Sequence, residues 1–303
     1  MNIYLPIAET AVTAVALLAI GGGVGLLSGL LGVGGGFLLT PLLILLGIPP
    51  SVAVASGANQ IVASSFSGLL VHLRRGTVDL QMGTVLVAGG LVGSLCGVWT
   101  FAALRRLGQI DLVIGLSYVL LLGTLGGLML VESVRTWLRH RRPRPVRGRL
   151  HQHYGLHRLP FRMRFRRSRL YISALLPAGL GFVVGVMTAI MGVGGGFLSV
   201  PAMIYLIGMP TTVVVGTSLL QMTVVTASVT FLQAVHNHNV DVVLALILIT
   251  GGVAGAQLGA MLGGRLRGEQ LRLIMAVVVL GVCAKFAYDL LATPSDLYSL
   301  AAG

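Results

Sequence analysis

GLLSGLLGVGGGFLLTP runs from Gly25 to Pro41, and GVMTAIMGVGGGFLSVP runs from Gly185 to Pro201. Both spell Gly-Val-Gly-Gly-Gly-Phe inside otherwise aliphatic sequence, each with a proline five residues beyond the last glycine. Glycine is the worst helix former after proline, so three in a row interrupt a helix on every face rather than along one seam. The copies lie 160 residues apart, and the likeness continues outward from them. Leu46-Gly-Ile-Pro49 matches Ile207-Gly-Met-Pro210, Gln60 falls opposite Gln221, and Asp79 falls opposite Asp241. The Gly89, Gly90, Gly93 and Gly97 series falls opposite Gly251, Gly252, Gly255 and Gly259. The chain is an internal duplication.

Its setting is a membrane. Of 303 residues, 55% are hydrophobic and 10% charged, against about 25% charged in soluble domains. Lipid offers no partner to an unpaired backbone group, so the apolar runs must be helices; they exceed the length of barrel strands and lack alternation. Five runs precede a basic segment: about 7–31, 36–46, 51–73, 80–104 and 110–134. Five follow it: about 170–191, 196–207, 211–235, 240–262 and 270–290. The expected class is all-α and polytopic, with two repeats of about five helical elements each. The expected organisation is a first repeat over 1–134, an Arg-rich loop over 135–169 and a second repeat over 170–303.

Thirteen of the 21 basic residues lie between Arg135 and Arg169. This is the pattern of a cytoplasmic loop under the positive-inside rule, not of a nucleic-acid surface. An odd number of elements per repeat inserts the second repeat upside down. With the N-terminus outside, 18 basic residues fall inside and three outside. Merging each short second element with its neighbour gives four spans per half, both termini inside and 16 against five, so the bias leans to the inverted topology while the alternative stays open. The run 36–46 rises only about 16 Å as a helix, too short for a ~30 Å hydrocarbon core. It is therefore expected to be a half-helix that starts or ends within the protein.

A half-helix exposes unpaired N–H groups and a partial positive charge at its start, a prepared site for an anion. Gly34, Gly35 and Gly36, with Gly194, Gly195 and Gly196, let the backbone approach a ligand closely. In inverted repeats two such ends face each other, as in many secondary transporters. The helix after each half-helix adds polar side chains at helical spacing: Ser56, Asn59 and Gln60 in one repeat, Thr217, Ser218 and Gln221 in the other. These twelve residues form the expected small-anion site. Evenly spaced glycines elsewhere (21, 25, 29; 89, 93, 97; 251, 255, 259, 263) read as helix contact seams.

Other chemistry is not supported. No Lys-Ser/Thr follows the glycines as in a P-loop, no strand precedes them as in a dinucleotide fold, and no hydrolase triad or HExxH is present, so neither cofactor nor enzyme activity is expected. His236 and His238 have no third ligand nearby, and no metal site is expected. Asp79 and Asp241 read as helix N-caps, and Cys96 and Cys283 as small packing residues. The segment RLPFRMRFRRSRLY (158–171) interleaves arginine with Phe and Met and suits anionic lipid at the inner leaflet.

The duplicated GxxxG…GxGGGF…P block, the GIPP and GMP turns, the polar helix and the GxxxGxxxG span resemble the TauE/SafE sulfite-exporter family. The resemblance covers nearly all of both halves, omitting the basic loop and the extreme termini. It implies a multi-pass protein of the bacterial cytoplasmic membrane that carries sulfite or small organosulfonates outward. The central loop is longer and more basic than the family linker, so no function is carried onto it. Two alternatives stand beside this reading: a carrier of another small anion such as thiosulfate or sulfate, and a non-transporting membrane adaptor acting through the loop. The glycine seams also permit a homodimer.

Overall fold

The computed structural model describes residues 2–31, 36–139, 161–165, 167–168, 170–237, 240–263 and 268–291. Among them are ten α-helices and two short β-hairpins. The first half contains α1 (Ala14–Leu31), α2 (Gly36–Leu45), α3 (Pro50–Arg74), α4 (Leu80–Arg106) and α5 (Ile110–Arg139). The second contains α6 (Leu175–Met191), α7 (Gly196–Ala202), α8 (Thr211–Leu232), α9 (Val242–Gly263) and α10 (Gly268–Leu291). Helix α7 runs on as a π-helical turn, Met203–Ile207, and α8 as another, Gln233–Asn237. Five helices are long and apolar enough to cross a membrane, and the chain is an all-α multi-pass membrane protein.

The hairpins correct the helical reading of two segments. Strand β1 (Asn2–Leu5) pairs antiparallel with β2 (Thr10–Thr13), so α1 starts at Ala14 and not near Ile7. Strand β3 (Arg162–Phe165) pairs with β4 (Leu170–Ser173), which draws the end of the basic segment into folded structure. Each strand of the second hairpin lies 160 residues after its counterpart in the first, so the duplication includes the hairpins. Thr and Val, stiff at χ1 and favoured in strands, fill the paired positions Thr10, Val12 and Thr13.

Packing is exchanged between the halves. Helix α1 packs on α9, and its counterpart α6 packs on α4; α3 packs on α8 and α5 on α10. The evenly spaced glycines are the contact surfaces. A Cβ at Gly25 would lie 2.2 Å from Gly252 O, and one at Gly255 2.0 Å from Gly22 O. In the other pair a Cβ at Gly93 would lie 2.1 Å from Phe182 O, and one at Gly185 2.2 Å from Gly90 O. Small residues thus bring backbone against backbone, the membrane substitute for hydrophobic driving force. Outward faces are apolar: Val92, Leu95 and Trp99 of α4 are exposed, as lipid requires. Cys96 lies on that exposed face and is not a packing residue, whereas Cys283 is buried.

Candidate anion site

Two short helices begin at the glycine clusters. In the second half, α6 stops at Met191 and α7 starts at Gly196, and Gly192, Gly194 and Gly195 have φ of 69°, 72° and 73°. Only glycine adopts that region routinely. Space forbids a side chain as well: a Cβ at Gly195 would lie 2.0 Å from Val184 Cγ1, and one at Gly192 2.8 Å from Val54 O. The break is anchored on both sides. Gly192 N donates to Thr188 O at 2.8 Å, and the Tyr118 hydroxyl donates to Met191 O. Leu198 N donates to Gly195 O at 3.1 Å, so the amides of Gly196 and Phe197 precede the first bond of the new helix. The expected helix break is therefore present in this half.

In the first half α1 ends at Leu31 and α2 opens at Gly36. Gly34 and Gly35 lie outside the described residues. Helix α2 has ten residues, about 15 Å at helical rise, and Pro41 stands inside it, as Pro201 stands inside α7.

The two starts meet. A Cβ at Gly36 would lie 2.8 Å from Val193 O, so the opening of α2 abuts the turn before α7. The rings of Phe37 and Phe197, the residues that end the two glycine motifs, stack at 4.1 Å between centroids with planes 9° apart. Offset or tilted pairs are the usual aromatic preference; a close parallel pair here ties one repeat to the other. Along α3, Val54 and Ile61 share a face and both touch the clusters, Val54 at Gly192 and Ile61 at Gly36 and Gly194.

The polar helices α3 and α8 use their side chains unequally. Ser56 Oγ accepts from Asp241 N at 2.9 Å, and Thr217 Oγ1 accepts from Asp79 N at 3.0 Å. Ser218 Oγ donates to Val215 O at 2.8 Å, and Asn59 Nδ2 reaches Ala55 O at 3.4 Å. These four are engaged within the protein. The two glutamines differ. Gln221 is fully buried and neither atom of its amide has a partner among the described residues; Gln60 is 2% exposed and its Oε1 has none. Thr226 Oγ1, on the same helix as Gln221, is also buried without a partner. Burying such a group unpaired costs about 1–3 kcal/mol, so these atoms are left open to a further hydrogen bond. Gln60 packs its amide against α9, where a Cβ at Gly252 would lie 2.1 Å from Nε2.

Among the described residues, the buried charged side chains are Asp79 and Asp241. Each caps the helix it precedes, as expected: Met82 N donates to Asp79 Oδ1 at 3.1 Å and Leu244 N to Asp241 Oδ1 at 3.1 Å. The second oxygen of each carboxylate holds a hairpin turn. Ser168 N donates to Asp79 Oδ2 at 2.9 Å, joined by the Ser168 hydroxyl, and Ile7 N donates to Asp241 Oδ2 at 3.0 Å. Among the described residues, no cation is buried.

Sequence reasoning missed three contributors at the centre. Phe37 and Phe197 stood inside the repeated motif but read as ordinary apolar residues, and Ile61 lay unremarked beside Gln60. The only available signal was the aromatic residue closing both copies of the motif.

The model of the family "Sulfite exporter TauE/SafE" matches residues 17–286. The chain is 30% identical over 269 residues to the probable membrane transporter protein YjnA of Bacillus subtilis (strain 168), covering 88% of this chain and 96% of that one. It is 30% identical over 266 residues to a probable membrane transporter protein of Xylella fastidiosa (strain 9a5c), covering 86% and 90%. The probable membrane transporter protein YunE of Bacillus subtilis is 26% identical over 276 residues, 88% of this chain and 94% of YunE. No solved structure matches the chain.

Proposed function

We infer the function from one fact: this chain belongs to the sulfite exporter TauE/SafE family. It is a membrane transporter, and we propose that its cargo is sulfite or a small organosulfonate, carried outward across the bacterial cytoplasmic membrane. The cargo class is supported by the buried, unpartnered amide of Gln221 on α8 and by two glycine-started helices that meet, with no buried cation among the described residues. Sulfite and sulfonates present several oxygens over which charge is spread. Backbone N–H groups, an amide and hydroxyls hold such oxygens without a fixed positive charge. Binding by neutral donors is weak enough to permit release.

The site uses Gly34, Gly35, Gly36, Gly194, Gly195 and Gly196 for close backbone approach, with Gln60 and Gln221 as side-chain donors. Ser56 and Thr217 support it from the helix junctions. The repeats insert with opposite orientation, so that the 135–169 segment faces the cytoplasm and its arginines meet anionic lipid. The buried carboxylates among the described residues, Asp79 and Asp241, are engaged as helix caps and on the hairpin turns, and the driving force we propose is the membrane potential. An inside-negative membrane favours exit of each negative charge by ~2.3 kcal/mol per 100 mV.

Purified protein in liposomes loaded with sulfite, with potential and pH gradient set independently, tests this. Efflux should rise with inside-negative potential and ignore the pH gradient at constant sulfite charge. Flux that ignores voltage and follows the pH gradient overturns the uniport mechanism; no flux of sulfite, sulfoacetate, thiosulfate or sulfate overturns the cargo class.

A further inference from the structure

We propose that Ile61 is the plug between Gly36 and Gly194 and the residue that limits how bulky an anion passes there; the proposal rests on the transport reading above. Ile61 belongs to α3 and is 1% exposed. Its side chain reaches both glycine clusters. Its Cδ1 is 2.1 Å from where a Cβ would stand at Gly36, and its Cγ2 is 2.6 Å from where one would stand at Gly194.

This differs in kind from the helix seams. At Gly25, Gly93 and Gly185 the atom a Cβ would meet is a backbone oxygen, which nothing short of helix separation can move. At Gly194 the three nearest atoms all belong to the Ile61 side chain, and at Gly36 Ile61 Cδ1 at 2.1 Å stands nearest, ahead of Val193 O at 2.8 Å. The room left by two absent side chains is filled from a third helix by one aliphatic group. β-Branched and stiff at χ1 on a helix, Ile61 holds that space as a fixed filler, and its size sets what fits there. It is also chemically idle toward an oxyanion, since it offers no hydrogen bond. Occupied by Ile61, the gap is closed; vacated, it is bordered by the backbone of Gly36 and Gly194. Gln60 precedes the plug in sequence on the same helix.

Two independent readouts test this in the full-length protein. The first is the ratio of benzenesulfonate flux to sulfite flux in liposomes. Ile61→Val should raise it modestly and Ile61→Ala by about tenfold or more, the scale on which small changes in an apolar pocket discriminate ligands. Ile61→Phe should depress both fluxes. The second needs no cargo. Gly194→Ala sets its methyl against Ile61 Cγ2, so it should destabilise the parent and do so clearly less in an Ile61→Ala background. An unchanged flux ratio in variants that elute and melt like the parent, or a Gly194→Ala loss that is equal with and without Ile61, overturns the proposal. If the parent protein moves neither anion, the cargo reading fails and the coupling between Gly194 and Ile61 alone decides the plug.

Discussion

Asp79 and Asp241 occupy matching posts and each reaches across to the opposite half of the chain. The backbone N–H of Asp79 donates to Thr217 and that of Asp241 to Ser56; the carboxylates hold Ser168 and Ile7. Thr217 and Ser56 are repeat counterparts, and Ser168 and Ile7 each lie in the turn of matching hairpins, so one kind of polar junction is built twice. Each junction joins a hairpin turn, a helix start and a polar helix from different parts of the chain.

Removing either carboxylate should therefore weaken both a cap and an inter-repeat strap. N-cap loss alone costs about 0.5–2 kcal/mol, and the hairpin bonds to a charged acceptor add about 1.5–3 kcal/mol. Asp79→Ala and Asp241→Ala should each lower the melting temperature in detergent by several degrees. Similar shifts at the two sites are expected; a large loss at one and none at the other would contradict the equivalence.

Glycines in this protein divide by what surrounds them, and substitution should separate them. Gly195→Ala meets both φ of 73° and Val184 Cγ1, and should destabilise the fold strongly. Gly179→Ala and Gly281→Ala meet open space on helices and should be neutral or stabilising by about 0.5–1 kcal/mol. Fluorescence-detected size exclusion after a heat series ranks all three.

The seam glycines give a sharper case. Gly25→Val would push a branched side chain into Gly252 O, whereas Gly23→Val points into open space on the same helix. The first should abolish folded, monodisperse protein and the second should leave yield within about a factor of two, in line with surface substitutions within ±0.5 kcal/mol. Equal behaviour of the two would refute the seam assignment.

Gln221 should trade stability against activity. Gln221→Leu removes two buried unpartnered atoms, so the melting temperature should stay level or rise, by up to about 1–3 kcal/mol of recovered desolvation. Sulfite efflux should fall at least about tenfold, the equivalent of one lost hydrogen bond to a charged group. A variant that melts higher and transports normally removes Gln221 from the site.

Much of this was open to reading in one dimension. Hydropathy dictates spanning helices because lipid cannot satisfy a bare backbone, and the repeat of glycines, prolines and polar residues exposes the duplication. The helix break before Gly196, the two N-caps and the glycine seams follow from local rules, since each depends on neighbours within a few residues. The hairpins did not follow. Residues 7–13 continue an apolar run into α1, and hydropathy reports where apolar residues stand, not which backbone bonds form between them. A single apolar periodicity likewise cannot say which helix receives a glycine seam. That α1 lies on α9, and α6 on α4, is set by backbone contacts between distant segments. The same holds at the centre. Chain order places Gln60 and Gln221 in matching helices, but their buried, unpartnered state, the Phe37–Phe197 stack and the reach of Ile61 to both Gly36 and Gly194 arise only when two halves of the chain close on each other.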